Sequence, residues 1–88
     1  MKGNTEVVAI LNKLLAGELM ATDQYLLHGE MYADMGLQKL AAHALHESEH
    51  ERQHARDIVQ RILFLEGNPD MATPVSYTHL RAHETDIN

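Results

Sequence analysis

The sequence predicts an all-α fold: an antiparallel two-helix hairpin followed by an irregular C-terminal tail. Three observations predict it. An apolar stripe runs from Val7 to Leu26 close to the helical period of about 3.6 residues. A second arc, through Leu40, Ala44, Ala55, Ile58, Ile62 and Leu65, repeats that spacing. Breakers stand where a hairpin needs them, with Gly36 between the two patterns and Gly67-Asn68-Pro69 after the second.

The first helix is expected over Thr5–Asp34, with Asn4 or Thr5 as its N-cap. Val7, Leu11, Leu14, Leu15, Ala21, Tyr25 and Leu26 make its apolar stripe, and Thr22 reads as a polar break on the edge of it. Gly17 and Gly29 are weak points inside the helix, and Gly36 is suited to a left-handed stop. The second helix is expected from about Leu37 to Glu66. The short turn between them favours antiparallel packing of two helices, each roughly 45 Å long at about 1.5 Å per residue. From Asp70 onward neither helical nor strand periodicity appears. The segment Ser76-Tyr77-Thr78-His79-Leu80-Arg81-Ala82-His83-Glu84-Thr85 resembles translated sequencing-adapter read-through. Residues 73–88 are therefore expected to be non-native or disordered, and His79 and His83 carry no functional reading.

Composition narrows the function classes. The chain has 88 residues, enough for one small domain, and a net charge of −6. That charge argues against non-specific nucleic-acid binding and suits a surface that handles cations. No cysteine is present, which excludes disulfides and thiolate metal sites and fits a reducing compartment. No apolar run approaches the roughly 20 residues of a membrane span, and no secretion signal is read at the N-terminus. Seven histidines are present, all but His28 from His43 onward, so metal binding becomes the leading question.

At about 100° per residue, Glu51 falls inside the apolar arc of the second helix, with His54 and Glu47 at its edge. Glu18 sits on the stripe of the first helix in the same way. A carboxylate on an apolar stripe is costly unless it is paired or bound to a cation. Glu51 and His54 form a Glu-x-x-His pair, whose side chains leave one helix face together and can hold one metal ion. Carboxylate-bridged di-iron bundles combine a bare Glu from each of two helices with a Glu-x-x-His from each of the other two. This chain carries half of that set in Glu18, Glu51 and His54. A plainer reading stands beside it: Glu-x-x-His is common in helices, and Glu18 could be a seam residue paired with Lys13 or Arg52 in a non-catalytic helical-hairpin interaction module. A third reading takes His46-Glu47-Ser48-Glu49-His50 as a His-Glu-x-x-His zinc motif with Glu47 as general base of a metalloprotease. The extended form of that motif needs Gly and His where this chain has Gln53 and Arg56. Its two imidazoles also point away from the apolar arc.

Several separate stretches resemble bacterioferritin. Met1-Lys2-Gly3, Leu11-Asn12-Lys13-Leu14-Leu15, Glu18-Leu19, Gln24-Tyr25 and Leu27-His28 are similar to its first helix. Gly36-Leu37, His46-Glu47-Ser48, Glu51 with His54-Ala55, and Arg61-Ile62-Leu63-Phe64-Leu65-Glu66-Gly67 are similar to later segments of that family, so the resemblance covers residues 1–72. It implies half of a ferritin-like four-helix bundle, from a cytoplasmic iron-storage cage whose subunits oxidise Fe(II) with oxygen or peroxide at a di-iron centre. Glu18 matches the family's terminal carboxylate ligand, Glu51 its bridging carboxylate and His54 its imidazole ligand, and Tyr25 matches a tyrosine beside the centre. His46 and His50 match positions facing the inner cavity, where they would bind iron, although His50 replaces a more usual acidic residue. Hard carboxylates with one nitrogen suit iron. Arg52 stands where the family places its haem-ligating methionine, and a guanidinium has no lone pair to offer, so no haem is expected. The third and fourth helices have no counterpart here, and the chain is expected to be a fragment. The implied partners are Fe(II), oxygen or peroxide, and further subunits in a homo-oligomer or mixed cage, with neither nucleic acid nor membrane. The chain alone is expected to be inactive unless it dimerises, which would supply each ligand twice.

Overall fold

A computed structural model describes residues 3–70, and the expectations for the tail beyond Asp70 lie outside the described residues. The structure has two helices, α1 (Thr5–Asp34) and α2 (Gln38–Phe64), packed against each other as a helical hairpin. α1 matches its expected bounds. α2 is shorter than expected by one residue at its start and ends at Phe64. Asn4 is the N-cap: its side-chain Oδ1 accepts the Glu6 N–H at 2.6 Å, satisfying one of the donors that a helix start leaves free.

The described residues form two compact units. In the unit of residues 3–16 and 58–70, Leu15 and Ile62 are wholly buried and Leu65 is nearly so. The Gly3 N–H donates to the Leu65 carbonyl at 2.8 Å. Glu66 and Gly67 N–H groups donate to the Leu63 and Ile62 carbonyls, the double bond pattern that closes a helix C-terminus. The left-handed residue of that motif is Glu66, at φ 58°, and not the neighbouring glycine. Gly67 has a different duty: a Cβ there would lie 2.8 Å from Val8 Cγ1, so only glycine lets the chain pass this close to α1. The Asn12 side chain then holds the exit strand, donating to the Asn68 carbonyl and accepting the Asp70 N–H at 2.7 Å.

In the unit Gly17–Asp57 the seam is built from small residues. Ala41, Ala44, Ser48 and Ala55 of α2 are buried, as are Thr22 and Gly29 of α1. Glycine at position 29 gives Leu45 its room: a Cβ there would stand 2.6 Å from Leu45 Cδ2, so the Leu45 side chain would have to shift. The turn is closed by Gly36 at φ 78°, with Gly36 and Leu37 N–H groups donating to the Ala33 and Tyr32 carbonyls.

Two sequence expectations change. Thr22 is not an edge break but a buried residue, because its short side chain turns its hydroxyl back onto its own helix. The apolar stripe is also wider than one partner helix covers. Leu15 is buried, whereas Val7, Leu14, Leu26 and Leu40 are exposed by 40–53%.

Candidate metal centre

Glu18 leaves α1 toward α2, and Glu51 and His54 leave α2 one turn apart toward Glu18. Helical spacing sets this: Glu51 and His54 are three residues apart, so their side chains rise over the same face. One oxygen or nitrogen from each of the three side chains lies within 4.8 Å of the others, and no other group of three such donors forms among the described residues. His54 Nδ1 stands 3.4 Å from Glu18 Oε2 and 3.5 Å from Glu51 Oε2. The two carboxylates are largely shielded, with side chains 27% and 20% exposed, and the imidazole is 58% exposed.

The electrostatics of this trio are those of a site short of positive charge. Glu18 Oε2 is buried and accepts no hydrogen bond. A hydrogen bond between the two carboxyl groups does most to raise the Glu18 pKa above the usual carboxylate range, with burial and the Glu51 charge adding to it and His54 working against it. The same bond, accepted by Glu51, lowers the Glu51 pKa, as do His54 and His50. Two crowded carboxylates, one with a buried oxygen that accepts no hydrogen bond, and the imidazole beside them match the donor set of a hard or borderline divalent cation.

The remaining residues singled out by sequence fall elsewhere. Tyr25 is half-buried on α1. His46 and His50 are exposed, with ring centroids 4.5 Å apart and planes tilted by 55°. His43 is exposed and Glu47 half-buried. Arg52 does not pair with Glu18; it reaches Glu49 at 3.8 Å on the surface. The bonds made by two residues escaped sequence reasoning. The Ser48 hydroxyl donates to the Thr22 carbonyl at 2.8 Å, and the Thr22 hydroxyl donates to the Glu18 carbonyl at 2.8 Å. The available signal was the placement of Ser48 among Ala41, Ala44 and Ala55 on the buried arc of α2.

Residues 8–86 match the ferritin-like domain family. The chain belongs to that family. Among its ferritin-like relatives, it is 53% identical over 72 residues to a bacterial ferritin of Paramagnetospirillum magnetotacticum, covering 82% of this chain and 44% of the relative. It is 51% identical over 72 residues to a bacterial ferritin of Synechocystis sp., covering 82% and 46%. It is 44% identical over 70 residues to a bacterioferritin of Mycobacterium tuberculosis, covering 80% and 44%. The chain thus spans a little under half the length of the curated relatives it matches. The family match reaches residue 86, whereas these pairwise matches span 70–72 residues.

Proposed function

We propose that this ferritin-like chain binds Fe(II) through Glu18, Glu51 and His54 and serves iron storage by contributing these ligands to a ferroxidase centre. The observation that carries the reading is the convergence of the three donors within 4.8 Å of one another around an oxygen of Glu18 that has no hydrogen-bond partner. In this reading Glu18 is a terminal ligand, Glu51 the carboxylate whose two oxygens can serve two metals, and His54 the nitrogen ligand. Tyr25, on the same helix as Glu18, is assigned a supporting place beside the centre in this reading. Iron is the substrate: each Fe(II) gives up one electron, which oxygen or peroxide takes up. The chain's own part is to replace water around the ion and offer it charged oxygens. Arg52 offers no lone pair, so we propose that the chain supplies no haem ligand. A dinuclear centre needs more carboxylates than these three residues provide. Further subunit sequence or a second copy of the hairpin would supply them.

His46 and His50 are close enough to share an ion on the exposed side of α2, and an accessory iron position there is the second part of the proposal. The zinc-protease reading gains no support, since the one group of three donors found among the described residues excludes both imidazoles.

The test is Fe(II) oxidation by oxygen or peroxide, followed by Fe(III) absorbance, in the chain and in Glu51→Ala. The expected result is loss of bound iron and of any oxidation in Glu51→Ala. Unchanged iron uptake in Glu51→Ala would leave the three residues as ordinary seam groups.

A further inference from the structure

A buried pair of hydroxyl residues lies beneath the ligands. Ser48 lies three residues before Glu51, and Thr22 four residues after Glu18, so both sit one helical turn from a ligand on the ligand's own helix face. Both are among the few buried polar residues of the fold, at 3% and 5% exposure. Ser48 Oγ donates across the seam to the Thr22 carbonyl at 2.8 Å, in a buried bond between residues 26 apart in sequence. A helical carbonyl already receives an amide N–H, so Thr22 has no unmet need that this bond fills. Serine in a helix ordinarily bonds back to its own preceding turn. This one directs its single donor to the other helix. Thr22 in turn ties its hydroxyl to the carbonyl of Glu18, the residue that carries the orphaned oxygen.

We propose that Ser48 is a positioning residue for the metal centre: its bond to the Thr22 carbonyl fixes the axial register of α2 against α1, and thereby the spacing of Glu51 and His54 from Glu18. The inference rests on the metal-binding reading above. Around Ser48 the seam is made of the small side chains of Ala41, Ala44 and Ala55, with Leu45 set against Gly29 nearer the turn. A directional hydrogen bond adds to this packing a restraint along the helix axis. A slide of about 1 Å along the helix axis, roughly two-thirds of the rise per residue, is enough to spoil a cluster whose ligands must all reach one ion. Outer groups that hold metal ligands in place commonly contribute about ten- to a hundredfold to affinity.

The test uses Co(II) as a redox-inert probe with the complete chain. Affinity, the visible absorption of bound Co(II) and the thermal unfolding midpoint are measured for the parent chain, Ser48→Ala and Ser48→Cys. Ser48→Ala deletes the donor without orphaning a buried group, since the Thr22 carbonyl keeps its amide partner. The expected result is a loss of about tenfold in Co(II) affinity with an altered visible spectrum, while helix content is retained. Ser48→Cys keeps the volume and a weak donor, and is expected to recover part of the affinity. If Ser48→Ala fails to fold, Ser48→Cys against the parent gives the reading, with a smaller drop. Unchanged affinity and spectrum in the folded variant would overturn the role of Ser48 and leave the metal site standing. A parent chain that binds no Co(II) would overturn the metal-binding reading itself, and this inference with it.

Discussion

Glu18 is pulled two ways, by the fold and by the site. Its Oε2 is buried without a hydrogen bond, and its pKa is raised by the bond to Glu51, by burial and by the Glu51 charge. A carboxyl whose folded pKa is raised holds its proton more tightly in the fold, so its contribution to stability is full below the unfolded carboxylate range and is lost as pH rises through the raised value. Glu51 is its mirror: its lowered pKa contributes stability above the unfolded range, lost as pH falls through that lowered value. Metal binding needs both carboxylates ionised and therefore competes with the Glu18 proton. Co(II) or Fe(II) affinity is expected to weaken as pH falls through the raised Glu18 value. In Glu51→Gln the Glu18 carboxyl is expected to titrate lower, which carboxyl 13C shifts followed against pH would show. At this scale the sequence disclosed the acids and the imidazole, because a charge on an apolar stripe breaks a pattern. It marked Thr22 only as a break at the edge of the stripe and did not disclose the bonds of Ser48 and Thr22, because bonds from side chain to backbone leave no mark in side-chain spacing.

At the scale of the helices, the caps divide what could be read from what could not. Asn4 is a capping residue by type and caps α1 in fact, so Asn4→Ala is expected to cost about 1 kcal/mol. Gly36 is a stop by type and takes the left-handed conformation. The end of α2 is different. Gly67 carries the obvious stop signal, yet Glu66 occupies the left-handed position because Gly67 is needed where the chain passes Val8 and Ile62. A side chain in that conformation costs about 1 kcal/mol relative to glycine. Glu66→Gly is therefore expected to stabilise the chain by about that amount in thermal or urea unfolding, and no stabilisation would mean that the Glu66 side chain offsets its own strain. Gly29 is likewise a weakness by helix propensity that makes room for the Leu45 side chain.

For the whole molecule, the hairpin was legible from two periodic stripes and two breakers, but the extent of burial was not. Periodicity marks residues that seek an apolar partner, and one partner helix covers only part of a broad stripe. Val7, Ile10, Leu14, Met20, Leu27 and Met31 are 45–64% exposed. So much uncovered apolar surface favours association. If a second copy completes the metal centre, light scattering is expected to show the dimer favoured by Fe(II) over the metal-free chain, and to lose that dependence in His54→Ala. An association state indifferent to Fe(II) would place the missing ligands elsewhere than in a second hairpin.

The central claim is that Glu18, Glu51 and His54 together hold iron. Anaerobic Fe(II) titration of the complete chain, with bound iron counted after separation from free metal, tests it most directly. Saturable uptake, reduced by about tenfold or more in affinity by each of Glu18→Ala, Glu51→Ala and His54→Ala, is the predicted result. Absence of saturable Fe(II) binding, or binding indifferent to all three substitutions, would contradict it.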